Sequence, residues 1–282
     1  MSRTLRRGDQ GPDVAELQRD LSAAGYPVPP LGHFGPITEA AVRDYQRAHE
    51  LDDDGVAGPL TRASLDGAPP GVREELLVDV SQWSGVPDYG ALRALGYTGV
   101  IPRLGSGVDG VDSLAERQIT AAHAAGVHVE TGYVYVKSWE PGDRQALHFL
   151  DLAKRFGLAL WIDVEPAKPY ASATRSWPVH TDAPSLYRPV AMACFDALRG
   201  SGVAWGVYGA MFLDSLALPA WLASAPLWAA TYGGPVQIPR PWTAAAIHQY
   251  EGDVPLAGAK VDLNRTIIPG GMSAALKAMG GS

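Results

Sequence analysis

The spacing of apolar positions changes part way along the chain. Up to about residue 65 it is helical: Val14, Leu17, Gln18 and Leu21 share one helix face, and Ala41, Val42, Tyr45 and Ala48 share another. Gly35-Pro36-Ile37-Thr38-Glu39-Ala40 is echoed by Gly58-Pro59-Leu60-Thr61-Arg62-Ala63, each a Gly-Pro turn with a threonine placed to cap the helix that follows. From residue 76 short apolar runs alternate with amphipathic stretches. Strands are predicted at 76–80, 99–104, 127–136, 158–164, 203–208, 227–232, 246–250 and 260–263, with helices over 114–125, 143–156 and 186–199 between several of them.

Strand after helix after strand predicts a parallel sheet, and eight strands in about 200 residues favour a closed barrel over an open sheet. Less helix separates the last three strands, so the barrel should be irregular. Asp66 to Val72, DGAPPGV, breaks the pattern with two prolines and two glycines. The expected organisation is a small all-α three-helix domain over 1–66, a linker over 67–75, and an α/β, irregular (β/α) TIM-like barrel over 76–282.

Composition narrows the function classes. Of 282 residues, 46% are hydrophobic and 19% charged, values of a globular protein rather than a disordered or fibrous one. A net charge of -7 argues against gripping nucleic acid or an anionic membrane by charge, so neither is expected as a partner. The single cysteine, Cys194, excludes an intramolecular disulfide, and its apolar neighbours predict a buried thiol. MSRTLRRGDQGPD carries charge with no apolar stretch after it, so no secretory signal is predicted. Leu216 to Tyr232 is interrupted by Pro219 and Pro226 and falls short of the roughly 20 apolar residues of a membrane span.

The densest chemistry lies in LALWIDVEP. Asp163 and Glu165 are two residues apart and share a strand face with Trp161 and Ala159, while Leu158, Leu160, Ile162 and Val164 face the other way toward the helices. Two carboxyls then point into the barrel at the carboxyl end of a strand, where barrel enzymes hold their sites. Asp79 and Asp262 sit in apolar settings on the first and last strands, which closure makes neighbours. Crowded carboxyls push at least one pKa up and so place a protonated acid beside ionised partners, the equipment of glycoside hydrolysis. Tyr133, Tyr135, Tyr208, Tyr232 and Tyr250 recur at strand ends, where rings and hydroxyls suit sugars. His33 and His49 are read as solvated or capping, and Asp52-Asp53-Asp54 as a solvated turn.

GDQGPDVAELQRDLSAAGY, FGPITEAAVRDYQRAHEL and DGVAGPLTRASL resemble the three-helix peptidoglycan-binding domain attached to many cell-wall hydrolases, with Leu31-Gly32-His33-Phe34-Gly35 where that family has Asp-Gly before Phe-Gly. DVSQW, WIDVEP, GVYG, PLWAATYGG and IHQYEGDVPLAGAKVDLNR resemble the glycoside hydrolase family 25 muramidases, over residues 76 to 268. This chain departs from that family in having Leu104-Gly105-Ser106-Gly107 after Arg103 and Tyr133-Val134-Tyr135 in the third strand. The resemblance implies cleavage of the β-1,4 bond between N-acetylmuramic acid and N-acetylglucosamine, with Glu165 as general acid and Asp163 stabilising an acetamido-assisted intermediate. It also implies that Asp79 and Asp262 line the same site, and that Arg103 and Gln249 join the tyrosines in binding substrate.

The expected protein is a monomeric lysin of the phage endolysin type that acts on bacterial peptidoglycan without cofactor or metal, made in a host cytoplasm and released to the wall. One rival is a zinc amidase or peptidase, but His123, His128, His148, His180 and His248 are scattered without an HExxH helix. The other is a barrel that has lost turnover and serves as a wall-binding module.

Overall fold

Glycine followed by proline starts each of the first helices in the computed structural model, which describes residues 3–49, 51–67, 75–166, 183–268 and 271–280. The expected linker residues 68–74 and His180 lie outside the described residues. The chain divides into two compact units, Met1–Glu74 with Ala91–Tyr97 and Glu75–Gly90 with Thr98–Ser282.

In the first unit α1 is Pro12–Ala23, α2 Pro36–Ala48 and α3 Pro59–Gly67. Proline suits the first helical turn, where its missing N–H costs nothing. Val14, Leu17 and Leu21 of α1 pack with Ala41, Val42 and Tyr45 of α2 and with Phe34, all buried. The threonines do not cap as expected. Each lies inside its helix and accepts from a buried glutamine of the preceding helix: Gln18 Nε2 donates to Thr38 Oγ1 at 2.9 Å and Gln46 Nε2 to Thr61 Oγ1 at 3.1 Å. The same amide oxygens accept the N–H groups of Gly32 and Gly55, each at 2.9 Å. The sequence echo is therefore a repeated glutamine clamp on two turns. His49 is the C-cap of α2, its Nδ1 lying 2.9 Å from the Tyr45 carbonyl oxygen.

The strands are β1 Leu76–Val80, β2 Tyr97–Ser106, β3 Gly110–Val111, β4 Thr131–Tyr135, β5 Ala159–Asp163, β6 Trp205–Gly209, β7 Leu227–Ala230, β8 Ile247–Leu256 and β9 Ala259–Thr266. The remaining helices are α4 Tyr89–Ala94, α5 Ala115–Ala124, α6 Gly142–Phe156, α7 Pro184–Leu198, α8 Phe212–Ser215 and α9 Gly271–Met279. The sheet runs β1-β9-β8-β7-β6-β5-β4-β2-β3 and closes through a β1–β2 pairing. From β2 to β8 the neighbours β2, β4, β5, β6, β7 and β8 are parallel, but β9 is antiparallel to both β8 and β1. The all-parallel expectation fails there because only Ala257 and Gly258 separate β8 from β9, a hairpin with no room for a crossover helix.

The two-residue β3 was too short to register as an apolar run. Its Gly110 opposes the end of β2 so closely that a Cβ on Gly105 would collide with the Gly110 carbonyl oxygen. Inside the barrel, Leu77, Ile101, Trp161, Trp228 and Ile247 pack in one buried cluster with Met272, Ala275 and Met279 of α9. Gly206 makes room for Trp161, since a Cβ there would stand 2.5 Å from Trp161 Cζ3. Cys194 is buried in α7, and burial pushes its thiol up, away from the reactive thiolate. Among the described residues no helix is long and apolar enough to cross a membrane.

Candidate active site

Alternation along the strands puts one row of polar side chains above the aromatic cluster. Asp79 lies two residues beyond Leu77, Arg103 two beyond Ile101, and Asp163 two beyond Trp161. Register completes the row: Asp79 stands opposite Asp262 across β1 and β9, and Asp163 lies between Tyr135 on β4 and Tyr208 on β6. Glu165 follows β5, half-buried, and the Tyr135 hydroxyl donates to its carbonyl oxygen at 3.4 Å.

Asp79 and Asp163 are 6% and 4% exposed, too buried to be solvated acids on a surface. Asp79 Oδ2 accepts from Gln249 Nε2 and from Asn264 Nδ2, both at 2.8 Å. Burial nevertheless holds the Asp79 carboxyl well above the usual carboxylate range, with Asp262 and Glu165 adding to the rise against those two hydrogen bonds. Asp262 is half-buried, and its Oδ1 accepts the Asp253 N–H at 2.6 Å. Burial foremost, and neighbouring carboxylates after it, keep the hydroxyls of Tyr133, Tyr208 and Tyr232 protonated.

The predicted residues mostly converge here. Asp79, Asp163, Glu165, Asp262, Tyr133, Tyr135, Tyr208 and Tyr232 belong to this end of the barrel, with Tyr133 set edge-on to Trp228 at 6.1 Å. Tyr232 is 56% exposed and lines a cavity of about 270 Å³ with Glu251, Gly252, Asp253 and Asp262. Arg103 sits beside Tyr133, its Nε donating to the buried Asp112 Oδ2 at 2.8 Å. Two expectations need correcting. Gln249 is 1% exposed, and its amide is taken up by protein groups, so it does not present itself to a substrate. Tyr250 alternates to the other face of β8, against His248 and Arg265, and is outside the site.

Three contributors were missed. Asn264 lies two residues past Asp262 on β9, so alternation alone could have placed it on the same face. Trp228 forms the floor, 4.5 Å from the Tyr208 ring and 5.8 Å from Trp161, its Nε1 donating to Asn264 Oδ1 at 2.8 Å. Asp112 follows the short β3 and carried no sequence signal. Among the described residues no group of three His, Cys, Asp or Glu side chains is placed to hold a metal ion. The chemistry on offer is proton transfer: a carboxyl whose pKa burial raises, beside other carboxyls and ringed by hydroxyls and amides that orient a polar substrate.

The family model described as glycosyl hydrolases family 25 matches residues 78–259, and the one described as a peptidoglycan binding domain matches residues 10–65. The bacterial lysozyme from Streptomyces coelicolor superposes with a TM-score of 0.57 at 17% identity, covering 73% of this chain and 97% of that one. The CTP1L endolysin gives 0.53 at 19% identity, covering 72% of this chain and 69% of that one. At such identities the likeness speaks for the fold. The zinc D-Ala-D-Ala carboxypeptidase of Streptomyces albus G is 45% identical over 65 residues, which are 21% of this chain. The match spans only about 25% of that curated relative's length.

Proposed function

The chain belongs to glycosyl hydrolase family 25, and from that premise we propose that it is a muramidase, hydrolysing the β-1,4 bond between N-acetylmuramic acid and N-acetylglucosamine in bacterial peptidoglycan. The observation that carries this reading is the gathering of Asp79, Asp163, Glu165 and Asp262 at one end of the barrel, with Asp79 and Asp262 directly opposed in register. In this reading Glu165, half-buried and past the strand end, delivers its proton to the oxygen of the departing sugar. Asp163, fixed between Tyr135 and Tyr208, orients and stabilises the acetamido group that assists departure. Asp79 and Asp262 line the site around them. Arg103 and Tyr133 bind the sugar alongside.

Digestion of purified peptidoglycan followed by mass analysis of the fragments tests the reaction. New reducing ends on muramic acid are expected, whereas release of free peptides would replace this reading with an amidase. Glu165→Gln should lower turnover about 10²- to 10⁴-fold, the usual worth of a positioned general acid, while wall binding persists. A barrel that only binds would show no turnover to lose.

The N-terminal unit matches a peptidoglycan-binding family, so tethering to the insoluble wall would raise local substrate concentration. The finer reading is a phage endolysin, for which the likeness to one endolysin speaks, and we propose that it is made in the host cytoplasm and acts on the wall after release. Fractionating producing cells with and without a pore-forming partner tests it, and wall-associated protein without such a partner would refute it.

A further inference from the structure

We propose that Gln249 is a positioning residue: it makes no contact with substrate, and it clamps the Asp79 carboxyl by Oδ2 so that Oδ1 alone faces the reacting groups. The inference rests on the muramidase reading for its consequence but on geometry for its content. The Gln249 side chain is 1% exposed. Its Oε1 accepts two phenolic hydrogens, from Tyr208 at 2.8 Å and Tyr232 at 2.6 Å. An amide oxygen occupied in this way forces the amide nitrogen to the opposite side, where Nε2 donates to Asp79 Oδ2 at 2.8 Å and lies 3.5 Å from Asp262 Oδ2. Rotating the amide by half a turn would bring Oε1 against an Asp79 carboxyl oxygen and take away the acceptor that both phenolic hydroxyls share. The orientation is therefore fixed from behind.

Asn264 repeats the device. Its Oδ1 is taken by Trp228 Nε1 at 2.8 Å, which turns Nδ2 toward the same Asp79 Oδ2, also at 2.8 Å. One carboxylate oxygen thus receives two N–H groups whose directions are each set by an aromatic partner. A proton carried by Asp79 has no place on Oδ2 and resides on Oδ1. The groups that act on Asp79 come from every neighbouring element: Asp262 of β9, Glu165 beyond β5, Tyr133 of β4, Tyr208 of β6 and Tyr232 beyond β7, with the Arg103 cation of β2 reaching Tyr133. Tyr208 and Tyr232 reach Asp79 through the Gln249 amide, so a change at the exposed Tyr232 should be felt at the buried carboxyl.

The test uses the full chain and two variants. Gln249→Met keeps the side-chain volume and removes the clamp; Tyr232→Phe, at a 56% exposed position, removes one of the two hydrogens that orient the amide and leaves the packing alone. The first measurement is the pH titration of the Asp79 carboxyl carbon by NMR, assigned with Asp79→Asn. Losing a hydrogen bond to the charged form should move the midpoint up by about one unit in Gln249→Met and by a smaller step in the same direction in Tyr232→Phe. The second is steady-state kinetics on soluble peptidoglycan fragments, where Gln249→Met should lose at least about tenfold in kcat with KM within about threefold of the parent. An unmoved midpoint in Tyr232→Phe, or a rise in KM with kcat unchanged in Gln249→Met, overturns the proposal. If the midpoints move as stated while the parent chain releases no reducing ends, the positioning role stands and the muramidase reading falls.

Discussion

Asp112 offers the sharpest test of how the site is held, because its carboxylate is buried and serves three partners. Oδ2 accepts from Arg103 Nε at 2.8 Å and from the Gln82 N–H at 2.9 Å, and Oδ1 accepts from the Leu114 N–H, at the start of α5, at 3.0 Å. The Arg103 side chain is only 18% exposed and that of Asp112 fully buried. Asp112→Ala would strand a largely buried cation, and breaking such a pair from one side costs about 3–5 kcal/mol. At roughly 2–4 °C per kcal/mol for a unit of this size, the melting temperature should fall by about 6–20 °C. Replacing both partners by apolar groups, Arg103→Met with Asp112→Ala, removes the stranded charge and should recover much of that loss, a coupling of at least about 2 kcal/mol in a double-mutant cycle with the two single variants and the parent. Calorimetry on the four proteins measures it. The paired variant should still show a raised KM on peptidoglycan fragments, since the cation beside Tyr133 is gone. An Asp112→Ala cost below about 1 kcal/mol, or a paired variant as unstable as the sum of the single ones, would refute the reasoning.

Other expectations follow from single contacts. Gly206→Ala should cost about 1–3 kcal/mol in thermal unfolding, because the new Cβ would meet Trp161 Cζ3 at 2.5 Å and the Pro226 carbonyl oxygen at 2.8 Å; Trp161→Phe should make the same substitution cheaper. Asp79 has its pKa raised in the fold, so its favourable contribution is present below the ordinary carboxylate range and lost as pH rises through the native value. Asp79→Asn should therefore melt above the parent at pH 7, with the gap closing below about pH 4, while turnover is lost. His248 is fully buried, and burial, reinforced by Arg265 against the pull of the Thr231 carbonyl, lowers it to about 4. The neutral ring contributes stability above its unfolded pKa that is lost as pH falls toward about 4, up to about 3 kcal/mol, and His248→Gln should flatten that acid limb in melts recorded from pH 7 to 4.

The barrel was legible wherever one residue type repeated at a strand's own period. In LALWIDVEP the aliphatic and polar faces separate cleanly, and that alternation located both Trp161 in the core and Asp163 in the row above it. The α1 and α2 faces were equally plain. What escaped was direction and anything short. An antiparallel β9 looks the same as a parallel one in apolar pattern, and only the two-residue gap after β8 speaks for the reversal. Glycine-rich β3 buries almost nothing and so leaves no hydrophobic trace, which hid Asp112 with it.

The site was legible in its carboxyls and opaque in its amides, for a physical reason. A carboxylate in an apolar strand is conspicuous because burying it costs several kcal/mol unless something repays it, so its presence implies a use. An amide such as Gln249 or Asn264 is neutral and unremarkable in a sequence, and its role depends on which groups hold its two ends. Those groups, Tyr208, Tyr232 and Trp228, come from two other segments of chain whose register with β8 and β9 is set only on closure. The tyrosines recur at strand ends, where rings and hydroxyls suit sugars; nothing in that pattern shows that the Tyr208 hydroxyl donates to Gln249, whose amide in turn donates to Asp79. A residue's chemistry can be read from its own side chain, but the direction in which a neutral amide donates belongs to its neighbours, and this barrel aims two of them at one oxygen.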